Sequence, residues 1–249
     1  MKDLEARMRA REWFHSLTLL PGAWAVVRVD GRSFSRLTEA NFDKPFDQRF
    51  SDLMVDTATT LLTELGGRYA YTQSDEISVV LDPAFDLFGR EVEKLVSLSA
   101  GIATAAFTHA AGQPAVFDGR IWMGASVDDV HGYITWRRTN AAHCALNSLC
   151  FWTLRKEGLS ARRATRELER TSADDRVALL SSRGIDFNDV PTWQRHGIAL
   201  WWETYEKTGH DPIRDTYVTT TRRRIRTERD ESMTGTYHDL IDVLLRPTT

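Results

Sequence analysis

Cysteine is nearly absent from this chain, which has only Cys144 and Cys150 among 249 residues. The two lie six positions apart in a stretch that reads as helix, so they leave on different faces, which argues against a disulfide or a metal clip. An excess of positive charge is missing as well. The formal net charge is −3 and the isoelectric point about 6.2, so no global field attracts nucleic acid and any such partner must meet a local patch. Nowhere does an apolar run approach the roughly 18 residues that a membrane helix needs, and the opening "MKDLEARMRAREWF" is charged throughout, without the apolar region of a signal peptide. Membrane insertion and export are therefore not expected, and a cytoplasmic setting is. Repeats, low-complexity tracts and long Gly/Ser linkers are also lacking, which favours one compact unit.

The chain does hold enough apolar residues, 42%, for one large domain or a core with an annex. After a short N-terminal helix, "AWAVVRVDGRSFSRL" alternates so that Val26, Arg28 and Asp30 share one strand face and Ala25, Val27 and Val29 the other. The spacing in "DQRFSDLMVDTATTLLTELGG" predicts a helix that stops at Gly66 and Gly67. "YAYTQSDEISVVLD" then reads as two strands, 68–72 and 77–81, joined by a tight hairpin. A second helix over "REVEKLVSLSAGIATAAFTHA" and a strand in "AVFDGRIWMG" complete a β-α-β-β-α-β order. The fold class expected is α+β, a ferredoxin-like unit of four antiparallel strands with two helices on one face. Residues 1–125 are expected to form this core. The remainder, 126–249, reads as helices over 127–157 and 160–182, then a hairpin of "HGIALWWETYEK" and "TYVTTTRRRIRTE" across "TGHDPIRD".

Two adjacent acids, Asp75 and Glu76, fall in the first hairpin turn, and Asp30 ends the strand beside it. Two ionised carboxylates about 5 Å apart repel by about 3 kcal/mol at an effective dielectric of 20, so a cation belongs among them. Hard oxygen ligands with a neighbouring carbonyl, here that of Gly31, suit Mg²⁺, which completes its shell from water and phosphates. A pair of such ions is suited to phosphoryl or nucleotidyl transfer. Arg28, Lys44, Arg90 and Lys94 supply positive charge for a triphosphate on the same reading. The plainer alternative is that "DG" and "SDE" are ordinary solvated turns and these cations ordinary surface charges. The second "DG", in "FDGR" at 117–120, is equally open between a plain strand bulge or turn and a substrate contact.

In order and spacing, "RVDGRSFSRL", "NFDKPFD", "YTQSDEISVVL", "FDGR" and Trp136 with "FW" at 151–152 resemble the tRNA-histidine guanylyltransferases and their guanylyltransferase-like relatives, over about residues 22–229. The resemblance implies a polymerase-like palm that adds nucleotides to the 5′ end of tRNA in the 3′-to-5′ direction. It implies that Asp30, the Gly31 carbonyl and Asp75 hold two Mg²⁺ ions, with Glu76 completing a catalytic acidic set. It places Arg28, Lys44, Ser74 and Lys94 where nucleotide phosphates bind, and Gly31, Arg32 and Arg90 are further expected nucleotide contacts, with ATP or GTP as activating and added nucleotides. For tRNA, Arg120 of "FDGR" and Arg222, Arg223 and Arg224 of the basic strand are the expected contacts, although Arg also guards a hairpin edge against pairing. A homo-oligomer, dimer or tetramer, is implied too.

Two departures point toward the guanylyltransferase-like branch, which repairs truncated tRNA by templated addition. Ser35 stands where the eukaryotic enzymes carry a histidine, and "AHCALNS" at 142–148 replaces their "HINNLYN". The rival readings are a non-catalytic tRNA-binding palm module, which needs no metal, and a nucleotide cyclase, which needs no RNA.

Overall fold

The computed structural model describes residues 2–211, 215–230 and 235–246. Helix α1 (Lys2–Arg9) leads to strand β1 (Trp24–Gly31), followed by α2 (Phe34–Asn41), α3 (Gln48–Glu64), β2 (Tyr69–Gln73), β3 (Glu76–Leu81), α4 (Val92–Ala111) and β4 (Phe117–Gly124). The second half runs α5 (Val127–Lys156), α6 (Ala161–Leu168), α7 (Ala173–Ser181), α8 (Thr192–His196), β5 (Ile198–Asp211), β6 (Thr216–Glu228) and α9 (Gly235–Leu245).

Alternation along β1 sorts its side chains into two cores. Ala25, Val27 and Val29 enter the layer under α3 and α4 with Met54, Leu61, Leu95 and Phe107. Trp24 and Val26 enter a second layer with Tyr133 and Ile134 of α5 and Tyr237 and Ile241 of α9. Apolar residues on both faces therefore fit a central strand covered on two sides, and the sheet is sandwiched between helical layers. Four strands stand in the order β4-β1-β3-β2, the ferredoxin-like arrangement expected from the sequence, and every neighbouring pair is antiparallel.

The second hairpin is not an annex on this sheet but an extension of it. Strand β5 pairs with β2 from Thr72↔Ile198 to Tyr69↔Trp201, giving six strands in one sheet. Because Tyr69, Ala70, Tyr71 and Thr72 are all buried, β2 could not remain an open edge without stranding buried backbone groups, and β5 satisfies them. Beyond this pairing β5 and β6 continue as a two-stranded ribbon; residues 212–214 of its predicted loop lie outside the described residues.

The expected helix over 160–182 is in fact two. Arg170 adopts a left-handed φ of 63°, and Ser172 opens α7 with a capping box, its hydroxyl accepting from the Asp175 amide while Asp175 accepts from the Ser172 amide. The break lets Ala164, Leu168 and Leu180 pack together on Leu146, Cys150 and Leu154 of α5. The "FDGR" segment runs inside β4, within the strand expected over "AVFDGRIWMG", and does not turn. Helices α2, α8 and α9 were not foreseen. Among the described residues no helix is long and apolar enough to cross a membrane.

Candidate active site

Strand register decides which acids meet. Asp30 on β1 is the Cα partner of Glu76 on β3 and of Asp118 on β4, and directly opposed residues share a sheet face. One position on, the Gly31 amide donates to the Asp75 carbonyl at 3.0 Å. Asp75 follows Ser74, whose left-handed φ of 52° makes the sharp turn between β2 and β3, and the Ser74 hydroxyl donates to Asp75 Oδ1 at 3.0 Å. Three carboxylates thus stand in a row across three strands, with a fourth just beyond.

These acids differ in how they are compensated. Exposed Asp118 accepts from Arg120 at 3.2 Å. Buried Glu76 accepts a forked pair of hydrogen bonds from Arg137, at 2.7 and 2.5 Å, with Arg28 3.8 Å away. No ion pair is recorded for Asp30 or Asp75 among the described residues. Burial pushes the Asp75 carboxyl above its ordinary range; the Ser74 hydroxyl opposes that shift, and the Asp30 charge adds to it. Glu76 is pushed up by burial as well, with the charge and hydrogen bonds of Arg137 acting against it.

A cavity of about 590 Å³ opens at this end of the sheet and takes in Asp30, Ser74, Asp75 and Glu76. From the α2–α3 loop, Lys44 enters it, its ammonium donating to Thr38 Oγ1 at 2.5 Å and lying 5.8 Å from the Trp152 ring centroid. Burial lowers the Lys44 pKa, and the negative charges of Glu39 and Asp75 resist the change. Helix α5 forms another wall with Arg137, Asn140, Cys144, Ser148 and Trp152, residues three or four apart and hence on one face. Further along, Phe46 and Trp193 meet edge-on with centroids 6.3 Å apart.

Two crowded, partly buried carboxylates without a cation partner are a donor set that a divalent ion would relieve. Among the described residues no group of three or more His, Cys, Asp or Glu side chains is gathered to hold a metal. Asp30 and Asp75 alone fit a hard ion such as Mg²⁺, which uses one or two carboxylates and draws its other ligands from water and phosphate.

This geometry accompanies a clear likeness to known proteins. The family model of tRNAHis guanylyltransferase matches residues 5–124, and that of the Thg1 C-terminal domain residues 128–242. The chain belongs to the tRNAHis guanylyltransferase family. A probable tRNA(His) guanylyltransferase of Mus musculus is 34% identical over 213 residues, covering 79% of this chain and 70% of the mouse protein. The tRNA(His) guanylyltransferase of Neurospora crassa is 35% identical over 202 residues, covering 74% and 68%. Among solved structures, a bacterial tRNA(His) guanylyltransferase (Thg1)-like protein in complex with GTP superposes with a TM-score of 0.74 at 25% identity, over 98% of this chain and 100% of that one. The tRNA(His) guanylyltransferase of Saccharomyces cerevisiae gives a TM-score of 0.68 at 25% identity, over 76% and 90%. Membership in the guanylyltransferase family makes the chain a nucleotidyltransferase.

Not every residue expected at a guanylyltransferase site lines the cavity. Arg90 is buried elsewhere, its guanidinium donating to the carbonyls of Leu20, Ala23, Pro83 and Phe85 at 2.6 to 3.2 Å and stacking 4.2 Å from the Phe85 ring centroid. It closes the loops before β1 and after β3. Lys94 pairs with Glu91 at 3.0 Å on the exposed side of α4. Arg32 is exposed, and its amide donates to the Val116 carbonyl at 2.8 Å. Arg28 is close to the cavity, but its charge faces Glu76.

The residues that the sequence reading passed over come mostly from α5. Arg137, Asn140 and Ser148 recur at helical spacing opposite the acids, and a polar stripe inside a buried helix was the available signal. "AHCALNS" places Cys144, Ala145 and Ser148 on this wall, whereas His143 is exposed and does not line it. Trp193 and Gln194 arrive from α8, a five-residue helix with no signal of its own.

Proposed function

We propose that this guanylyltransferase-family chain is a Mg²⁺-dependent nucleotidyltransferase that extends the 5′ end of tRNA in the 3′-to-5′ direction. The observation that carries the reading is the placement of Asp30 and Asp75 side by side, without cation partners, at the mouth of a cavity that also receives Lys44. Asp30, Asp75 and the Gly31 carbonyl are the proposed ligands of two ions. Such ions supply charge neutralisation and Lewis-acid activation for in-line transfer when bound.

The chain's own groups then account for binding and orientation. Lys44 meets a triphosphate tail beside the acids, assisted by the Ser74 turn, and the aromatic surface of Trp152, Phe46 and Trp193 offers stacking area for a base. On this reading the 3′-hydroxyl of an incoming nucleotide gives up its proton and attacks the 5′ α-phosphate of the RNA, breaking the bond to AMP or GMP on a nucleotidyl-activated end or to pyrophosphate on a triphosphate end. A monophosphate end requires prior activation by ATP or GTP; a triphosphate end does not.

Templated repair of a 5′-truncated tRNA is the proposed specificity. Its support is Ser35 on the cavity wall in place of a histidine, and Cys144 and Ser148 in the altered α5 stretch. End-to-end correspondence with the bacterial like-protein, 98% and 100% of the two chains, agrees with this branch. We further propose a palm over 1–125, a helical and hairpin region over 126–249, a homo-oligomeric assembly, and a cytoplasmic setting.

Labelled tRNA lacking its first nucleotide, incubated with all four nucleoside triphosphates and Mg²⁺, should be lengthened at its 5′ end. In competition with intact tRNA-His it should be the preferred substrate. No lengthening of either RNA defeats the activity, and preference for intact tRNA-His defeats the repair specificity alone.

A further inference from the structure

Glu76 is the chain neighbour of Asp75 and the cross-strand partner of Asp30, the position from which a third carboxylate would complete an ion-binding set. Both of its oxygens are already engaged. Arg137 Nε donates to Oε1 at 2.7 Å and Nη2 to Oε2 at 2.5 Å, and the two residues are only 7% and 8% exposed. A guanidinium fork fixes the plane of the carboxylate as well as its place, which a lysine cannot do. Arg28 adds a second positive charge at 3.8 Å. The Trp136 ring lies against both guanidiniums, with centroids 4.6 Å from Arg137 and 5.6 Å from Arg28. One turn earlier on α5, Tyr133 and Ser78 of β3 join their hydroxyls at 3.0 Å. Helix α5 is therefore fastened to β3 at two successive levels, ending where the Asp75 turn begins.

We propose that Arg137 is a positioning residue of this active site: it withdraws Glu76 from the ion-binding set and pins the strand end that carries Asp75, leaving a site built on two carboxylates. The inference rests on the reading of Asp30 and Asp75 as ion ligands. Breaking a buried ion pair from one side leaves the other charge uncompensated. Without Arg137, Glu76 keeps only the more distant Arg28 at 3.8 Å, its carboxylate is no longer held in place and adds to the negative charge beside Asp30 and Asp75, and the Asp75 turn loses its brace. Loss of an outer partner of this kind typically costs about 10- to 100-fold in metal affinity or activity; here its loss also releases a carboxylate into the site, and added ligand charge raises affinity for a divalent ion.

Direct Mn²⁺ binding by electron paramagnetic resonance, together with kcat and KM for nucleotide addition in Mg²⁺, separates this role from a merely structural one. Arg137→Gln should tighten Mn²⁺ binding by about fivefold or more through the added ligand charge while lowering kcat at least about tenfold, with the KM for nucleotide changed less than about threefold. Arg137→Lys should fall between it and the native protein. The charge-neutral double variant Glu76→Gln with Arg137→Gln should bind Mn²⁺ within about threefold of the native protein, whereas Asp75→Asn should lose binding. Unchanged or weaker Mn²⁺ binding by a folded Arg137→Gln protein overturns the proposal. So does loss of binding by the double variant to the extent seen with Asp75→Asn, and that arm decides even if the single variant does not fold. Normal binding by Asp75→Asn would instead remove the ion-site reading itself.

Discussion

The amide of Gly31 and the carbonyl of Asp75 are joined by a 3.0 Å hydrogen bond. Through that bond, backbone geometry rather than side-chain attraction brings two mutually repelling carboxylates to one sheet end. The fold imposes the repulsion, and a bound cation would offset it.

Asp30→Asn and Asp75→Asn should each lower nucleotide addition by at least about a hundredfold without unfolding the protein. Burial and then the nearby Asp30 charge disfavour the ionised form of Asp75 in the folded state, so its folded pKa lies above the unfolded value. Its charge therefore costs stability increasingly as pH rises past the ordinary carboxylate range. At pH 7, Asp75→Asn should melt no lower than the native protein in a thermal scan. Native-rate addition by either variant in Mg²⁺ would sink the catalytic assignment.

Lys44 and Arg90, both cations on the sequence reading, should respond in opposite ways. Lys44→Met should raise the KM for nucleotide about tenfold and leave stability nearly unchanged, because its ammonium is a single charge at the cavity. Arg90→Gln should leave that KM unchanged and cost about 2 to 3 kcal/mol in urea unfolding, since it uncovers carbonyls of Leu20, Ala23, Pro83 and Phe85. A nucleotide-binding defect in a stable Arg90→Gln protein would contradict this division.

His196 gives the fold a pH dependence on the acid side. Burial, then the charges of Arg138 and Arg195, hold its pKa down at about 4. The folded protein keeps it neutral, so stability is full above the ordinary histidine value and is lost as pH falls from about 6.5 toward 4. Between pH 7 and pH 5 the loss from this group should be about 1 to 2 kcal/mol after allowance for partial exposure. Chemical denaturation of His196→Gln at the two pH values should show a smaller difference; an identical one would exonerate the residue.

The basic strand should not act as a uniform patch. Arg224 already donates to Glu203 at 2.5 Å, and Arg226 to Glu228 at 2.9 Å. Arg223 instead lies over the Trp202 ring at 4.7 Å, and no ion pair is recorded for it or Arg222 among the described residues. Replacing Arg222 and Arg223 together by Ala should reduce the slope of log tRNA affinity against log salt by about 1 to 2, and Arg224→Ala should change it much less. Equal slopes for all three proteins would exclude the ribbon from the RNA contact.

Local sequence determined a good deal of this molecule. Period-two alternation in 24–31, the turn-forming "QSDE" and the apolar stripe of 48–64 each commit a short stretch to one conformation, because backbone sterics and side-chain direction act within a few residues. From those pieces followed the β-α-β-β-α-β order and the meeting of Asp30 with Asp75. Tertiary structure alone decided which charges remain available, since pairing depends on what the fold brings in from far along the chain. It carried Arg137 from α5 onto Glu76, turned Arg90 onto loop carbonyls and left Lys44 facing the acids. It also gave β2 a fifth strand to cover its buried edge. A carboxylate or guanidinium looks the same in any sequence; its partner, and hence its freedom to meet an ion or a phosphate, exists only once the chain has folded.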